Sequence, residues 1–101
     1  MTNLPIVCTL DRAALKARRE GLLAHLAGRA DDRREIDEGY RLQFTGSSNT
    51  LELIARTVAA ERHCCRFLRF QISVEPGEGA MILDVTGPPG SREFLAALFD
   101  A

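Results

Sequence analysis

The stretch FLRFQISVEPGEGAMILDVTG, residues 67–87, contains two β-rich runs on either side of a turn. β-branched and aromatic side chains are frequent in both runs, and the segment PGEG between them, residues 76–79, is made of residues that turns favour. Two such runs separated by a short glycine-containing segment are typical of a β-hairpin. We therefore predict a hairpin in the second half of the chain.

Two helices are predicted to flank this hairpin. Asn49 followed three residues later by Glu52 resembles a capping box, which predicts a helix that continues into ERHCC, residues 61–65. After the chain-breaking GPPG, residues 87–90, Ser91 can cap a short closing helix. The apolar face of that closing helix would consist of Phe94, Leu95 and Leu98.

The first half of the chain is predicted to contain two strands and one helix. LPIVC, residues 4–8, is a short apolar run typical of a strand, and Asp11 is a good N-cap for a helix to about Gly28. The mixed-charge residues 30–38 are predicted to form a polar connection. GYRLQFTG, residues 39–46, alternates apolar and polar residues and predicts a second strand. The inner face of the first helix would comprise Leu15, Leu22, Leu23 and Leu26, with Arg19 on the same stripe.

Length, element order and charge define the class of protein. A chain of 101 residues is enough for a single domain, residues 1–101, with one hydrophobic core. The order β-α-β-α-β-β-α predicts an α+β fold, a two-layer domain in which helices cover one face of a small sheet. The net charge of -1 argues against a nucleic-acid partner. Because there is no basic leader and no apolar run of about 20 residues, we predict a cytoplasmic protein without a membrane partner.

The three cysteines are the residues most typical of a functional site in this sequence. Cys8, Cys64 and Cys65 form an odd set, unlike the even frameworks of secreted mini-proteins, so reduced thiols are predicted. Adjacent cysteines make a poor structural staple, because a trans peptide holds their Cα atoms about 3.8 Å apart while disulfides favour roughly 4.4 to 6.8 Å. The pair is therefore predicted either to pack as small hydrophobic groups or to do chemistry.

A helical wheel of the second helix, at about 100° per residue, separates a buried face from an exposed face. Thr57 and Glu61 fall along the same edge as the two cysteines, because Glu61 precedes Cys64 by three residues and Cys65 by four. Arg62 is predicted to fall toward the apolar side, where a guanidinium near sulfur would stabilise thiolate. The predicted buried face consists of Leu51, Ile54, Ala55, Val58 and Cys65.

A three-thiolate site would form if the fold brought Cys8, just ahead of the first helix, to the end of the second helix. Three thiolates without an evident fourth ligand suit a soft ion, so mercury(II), arsenic(III) and copper(I) are the candidates. Zinc is a weaker candidate, because the helical wheel points His63 away from Cys65. Glu61 and Arg62 would orient the sulfurs and tune their protonation.

Two alternatives from other functional classes remain open. In a thiol-redox module or enzyme, one of the adjacent cysteines would attack and the other would resolve, through a strained vicinal disulfide or a bond to Cys8. In a protein-interaction domain, the thiols would simply be buried, as cysteine often is. The residues favour binding over turnover, and no catalytic or organic-cofactor residue is predicted.

The chain resembles a family of small bacterial proteins in four stretches: PIVCTL (5–10), ERHCCRFLRF (61–70), VEPGEG (74–79) and TGPPGSREFLAAL (86–98). They are similar to uncharacterised ERxCCxF-type domains associated with mercury and arsenic resistance, including copies attached to mercury-responsive regulators. Many relatives have a proline where this chain has Arg66. The resemblance implies a soft-metal connection. The predicted protein partner is either a second copy of the chain or a metal-responsive regulator. The family pattern highlights Cys8, Glu61, Arg62, Cys64 and Cys65.

Overall fold

The structure, a computed structural model, describes residues 22–77 and 79–99, and at Cys64 it describes the backbone only. In this part of the chain, helices and strands follow one another in the order α-β-β-α-β-β-α. The helices are α1 (Leu22–Arg29), α2 (Ser48–Cys64) and α3 (Ser91–Phe99), and the strands are β1 (Asp32–Ile36), β2 (Gly39–Phe44), β3 (Arg69–Val74) and β4 (Met81–Thr86). The predicted strand at residues 4–8 and the predicted helix start at Asp11 lie outside the described residues.

The described strands form one antiparallel sheet in the order β1-β2-β4-β3. The hairpin predicted at residues 67–87 is confirmed, because β3 and β4 pair antiparallel with Ile72 opposite Leu83. Leu83 also lies opposite Leu42 of β2 on the other side. Since β2 and β3 are both antiparallel to β4, they run parallel to each other with β4 between them.

The hydrophobic core lies on one face of this sheet. α1 packs against α2 and α3, and α3 packs on β2. Two edge-to-face aromatic pairs hold α3 in place: the rings of Tyr40, in β2, and Phe99 have centroids 5.3 Å apart, and those of Phe67, in the connection from α2 to β3, and Phe94 are 5.1 Å apart. The predicted α+β fold is therefore confirmed. The buried apolar side chains of the strands, alternating along β2 and β4, are Tyr40, Leu42, Phe44, Met81, Leu83 and Val85.

The other face of the sheet is polar. At its centre, the Arg41 guanidinium donates two hydrogen bonds to the Asp84 carboxylate, of 2.8 Å and 2.9 Å. Hydrogen bonding to Asp84, together with its charge, raises the pKa of Arg41. Such a bidentate pair satisfies two charged side chains that project from neighbouring strands. This face therefore carries paired charge in place of a second apolar layer.

β1 corrects the prediction that residues 30–38 are a polar connection. The strand pairs with β2 along its full length, from Asp32 opposite Gln43 to Ile36 opposite Gly39. The prediction was wrong because four of the five β1 side chains are exposed, so the strand has no alternation of apolar residues. In the turn, Glu38 adopts a positive φ of 53°, and its carboxylate accepts a hydrogen bond from the Gly90 amide at 3.0 Å.

The helix ends differ slightly from their predicted positions. α1 ends at Arg29, one residue after the prediction. α2 begins at Ser48 with Ser47 as its N-cap, so the capping box at Asn49 was wrong, and Ser47 makes no side-chain capping bond. Ser91 is the first residue of α3, and its hydroxyl donates to the Pro88 carbonyl at 2.7 Å, closing the preceding turn. None of the described helices is long and apolar enough to cross a membrane.

Asp31 gives the fold a testable pH dependence. The backbone N–H and the hydroxyl of Thr45 both donate to its carboxylate, the hydroxyl at 2.7 Å. These bonds, chiefly that from the side chain, lower the pKa of Asp31 from its usual 3.8. A carboxyl whose pKa is lower in the folded state adds stability above its unfolded pKa and loses it as the pH falls through its folded pKa.

We expect Asp31→Asn to lower the free energy of unfolding near neutral pH and to reduce the loss of stability on acidification below about pH 4. Urea unfolding at about pH 7 and about pH 3 measures both effects. Asp37→Asn, at an exposed position in the turn at the other end of β1, is the matched control. If the Asp31 variant has the same pH dependence of stability as the parent, the Asp31 carboxylate is not its source.

Candidate functional site

The adjacent cysteines lie where α2 turns into β3. Cys64 is the last residue of the helix, and Cys65 is its C-cap with φ -115° and ψ 75°. The Cys65 amide donates to the Glu61 carbonyl at 2.8 Å, and the Leu68 amide donates to the Cys65 carbonyl at 3.1 Å. These bonds connect the last helical turn to a tight corner, after which β3 begins at Arg69. The backbone of the pair is therefore set by regular local structure on both sides.

This corner is closely packed. Cys65 is 1% exposed and belongs to the hydrophobic core, as do Phe67 and Leu68. A Cβ atom added at Gly87 would lie 3.2 Å from the Phe67 carbonyl oxygen, so the connection from β4 to α3 passes directly against the corner. The Cys65 side chain is consequently part of the protein interior.

Two polar residues occupy the centre of the buried face of α2. Thr57 and Glu61 are both 0% exposed, on the same stripe as Ile54 and Cys65. The Thr57 hydroxyl donates to the Leu53 carbonyl at 2.8 Å. Burying a carboxyl group costs free energy unless polar partners compensate it, so a glutamate on this face depends on its polar interactions and not on packing alone. Departures from the apolar pattern of a core helix are expected at functional sites.

The buried stripe differs from the predicted one in two residues. Ala55 and Arg62 were predicted on the apolar side of the helix, and both are exposed. They lie about 100° and about 80° around the helix from Ile54, which is fully buried, and that rotation takes them to the boundary with water. His63 is exposed, as predicted.

The predicted metal ligands fall only partly within the structure. Cys8 lies outside the described residues, and so does the side chain of Cys64. Among the described side chains, no group of three or more histidine, cysteine, aspartate or glutamate residues could hold a metal ion. The three-thiolate site therefore stays a prediction.

Comparisons of this chain with protein-family models, with curated proteins and with solved structures find no match. The resemblance to ERxCCxF-type domains, like the soft-metal connection that it implies, thus stays a prediction.

A second feature, which the sequence did not indicate, is a cavity of about 170 Å³ at the start of α2. Its walls come from the helix start, the end of β3 and the turn between β3 and β4, which are distant in sequence. The PGEG segment, residues 76–79, which contributes Gly77 and Gly79 to the cavity, was predicted to be a simple turn. Its lining includes Ser47, Ser48, Leu51, Val74, Gly77 and Met81.

Proposed function

We propose that this protein binds a soft metal ion or metalloid in the cytoplasm, as part of heavy-metal resistance. Cys64 and Cys65 are the primary thiolate ligands, and Cys8 is the third. The bound ion is mercury(II), arsenic(III) or copper(I), because thiolates are soft ligands and three of them without a fourth do not suit structural zinc.

The observation that supports this proposal most is the burial of Glu61 one helical turn before Cys65. A carboxyl group on the buried face of a helix departs from the apolar pattern of a core, and such departures are expected at functional sites. A charged or hydrogen-bonding group close to the metal-binding thiols can orient the sulfurs and tune their protonation. We assign that role to Glu61. Arg62 is exposed, so we assign it only a contribution to the electrostatic potential around the thiols.

The proposed chemistry has a defined pH dependence. Thiols bind metals as thiolates, so each cysteine ligand that is protonated in the metal-free protein releases a proton on binding. The affinity for the ion should therefore weaken as the pH falls. Binding should also stabilise the fold, because the unfolded chain does not hold the ligands together.

The test is native mass spectrometry of the reduced full-length chain, titrated separately with mercury(II), arsenite, copper(I) and zinc. The expected result is one soft ion per chain, with zinc bound more weakly. Prior alkylation of the thiols is the control and should abolish the binding. Binding of every ion in proportion to the number of reactive thiols, without a defined stoichiometry, would reject the proposal.

Glu61 allows a more specific test of the same site. We expect Glu61→Gln, which preserves the shape of the side chain and replaces the carboxyl group with an amide, to reduce soft-ion affinity by about 10-fold or more. Glu52→Gln is the matched control, because Glu52 is exposed on the same helix. Competition titration against a chromophoric chelator measures both affinities, and thermal unfolding confirms that both variants are folded. Equal affinities in a folded Glu61 variant would exclude this residue from the site.

A protein-interaction domain with buried thiols is the second candidate, favoured by the 1% exposure of Cys65 within the apolar core. In that case the Cys65 thiol would react slowly with thiol reagents, and soft ions would not protect it. The kinetics of thiol modification with and without one equivalent of arsenite separate the two functions. Protection by arsenite supports the metal site, and its absence supports the interaction domain.

A further inference from the structure

The outer edge of β3 differs from the rest of the sheet. β3 is the last strand in the order β1-β2-β4-β3, and no described strand pairs with its outer side. Its register with β4 places Phe70, Ile72 and Val74 on the core face of the sheet, opposite Val85, Leu83 and Met81. Even so, Ile72 is 40% exposed and Val74 is 53% exposed. This edge is therefore both apolar and open to solvent.

The two edges of the described sheet contrast in charge. β1 carries charged residues at four consecutive positions, Asp32 to Glu35, all of them exposed. Charge on an edge strand is a common protection against pairing with another chain. β3 has no charged residue between Phe70 and Val74. One edge of the sheet is thus protected against association, and the other is suited to it.

Hydrogen bonding determines which residues of β3 can pair outward. The Glu75 amide donates to the Ala80 carbonyl at 3.0 Å, so Glu75 belongs to a hydrogen-bonded pair with the β4 side of the hairpin. Hydrogen-bonded pairs alternate with non-hydrogen-bonded pairs along an antiparallel ladder. The amide and carbonyl groups of Gln71 and Ser73 therefore point toward β4. Those of Phe70, Ile72 and Val74 point outward.

We propose that this edge is a dimer interface, at which β3 pairs antiparallel with β3 of a second copy of the chain about a two-fold axis through Ile72. This inference concerns a surface separate from the proposed metal site and does not depend on it. It joins the two sheets into one continuous sheet, an arrangement of the strand-addition type.

The alternation of outward-pointing groups selects this register. Regular pairing requires that residues with outward-pointing groups lie opposite one another, which excludes registers that place Ile72 opposite Gln71 or Ser73. With Ile72 opposite its own symmetry mate, Phe70 lies opposite Val74 of the second copy and Val74 opposite Phe70. All of the outward-pointing amides and carbonyls of these residues are then paired. A two-fold axis through Gln71 or Ser73 would leave some of these amides and carbonyls beyond the end of the paired segment, without a partner in the second copy.

The side chains support the same register. On the core face, the apolar residues of the two copies would lie side by side and reduce the exposure of Ile72 and Val74. On the polar face, Arg69 would lie opposite Glu75 of the second copy at both ends of the interface. Both of these residues are exposed in the single chain. Opposite charges directly across a strand pair are favourable, so the interface is complementary in charge as well as in hydrogen bonding.

Cysteine crosslinking tests the register. In a hydrogen-bonded antiparallel pair the Cα atoms are about 5.5 Å apart, within the range for a disulfide. Ile72→Cys should therefore form a covalent dimer on mild oxidation several times more efficiently than Gln71→Cys or Ser73→Cys. The latter two would place their thiols diagonally across the pair, about 7 to 8 Å apart at Cα. The unmodified chain gives the background from its native thiols. Preferential crosslinking at position 71 or 73, or no position above background, would overturn the proposal.

Sedimentation of the reduced, metal-free full-length chain over a range of concentrations tests the dimer itself. A single strand pair buries less area than a standard interface, so we expect a reversible dimer that dissociates on dilution. Arg69→Glu and Glu75→Arg should each weaken dimerisation about tenfold by placing like charges opposite each other at both ends. The double variant should restore it, and Arg56→Glu on the exposed side of α2 should leave it unchanged. A chain that is monomeric even at millimolar concentration, or a double variant that stays weakened, would refute the interface.

Discussion

Replacing both adjacent cysteines is expected to reduce the affinity for soft ions by more than about 100-fold. This loss exceeds the roughly 10- to 100-fold loss that is typical when a residue that only supports the ligands is changed. Cys64 and Cys65 supply two of the three proposed thiolates, and the remaining thiol of Cys8 would bind such an ion no better than an ordinary exposed cysteine. Isothermal titration with arsenite, or competition against a dithiol for mercury(II), measures the difference. Retained tight binding in the double variant would end the metal proposal.

The burial of Cys65 determines which substitutions are informative. Serine would place a hydroxyl group in an apolar core at a position 1% exposed, which costs free energy of unfolding without any involvement of a metal. Alanine leaves a small cavity at a cost of about 1 kcal/mol. The preferred double variant is therefore Cys64→Ser with Cys65→Ala, and its thermal unfolding must be compared with that of the metal-free parent. Cys8→Ser should weaken binding less than the double change.

Gly39→Ala is expected to lower the free energy of unfolding by about 3 kcal/mol or more, a large share of the roughly 5 to 15 kcal/mol available to a domain. A Cβ atom at this position would overlap the Val85 carbonyl oxygen and would lie 2.9 Å from the Thr86 Cα. Both atoms belong to the backbone of β4, so relief requires the strands to separate. Chemical denaturation measures the loss.

Gly28→Ala is the matched control for this prediction. A Cβ atom added at Gly28, near the end of α1, has no atom within 4 Å apart from its chain neighbours and the nearby backbone of its own helix. Because alanine is favoured over glycine in a helix, this change should raise stability by up to about 1 kcal/mol. Equal effects at the two glycines would show that the close approach of β2 to β4 is not what requires glycine at position 39.

Much of the fold could be predicted from local patterns. The hairpin, the alternation along β2, the C-terminal end of α1 and the approximate ends of α2 each depend on residues within one short segment, where periodicity and turn residues are reliable signals. β1 was missed because its pairing, not its side chains, defines it as a strand. A strand with exposed, charged side chains resembles a loop until its partner is known.

The candidate site likewise has features that could be predicted from the sequence and features that could not. The spacing of Thr57, Glu61 and Cys65 was enough to place them along one edge of a helix, because 3.6 residues per turn is a local property. The helical wheel could not show whether that edge faces the core or the solvent. Its predicted apolar face included Ala55, whereas the fully buried stripe is centred on Ile54 and Glu61.

The sequence by itself determined most of the described elements, β1 excepted, because helix period, strand alternation and turn residues act over a few neighbouring positions. Only the tertiary structure decided that Glu61 is buried, that Arg62 is exposed, and that β3 is an edge with outward-pointing groups at Ile72. Those properties depend on which elements pack against each other. That choice is set by the total burial and hydrogen bonding of the whole chain, which no single segment contains.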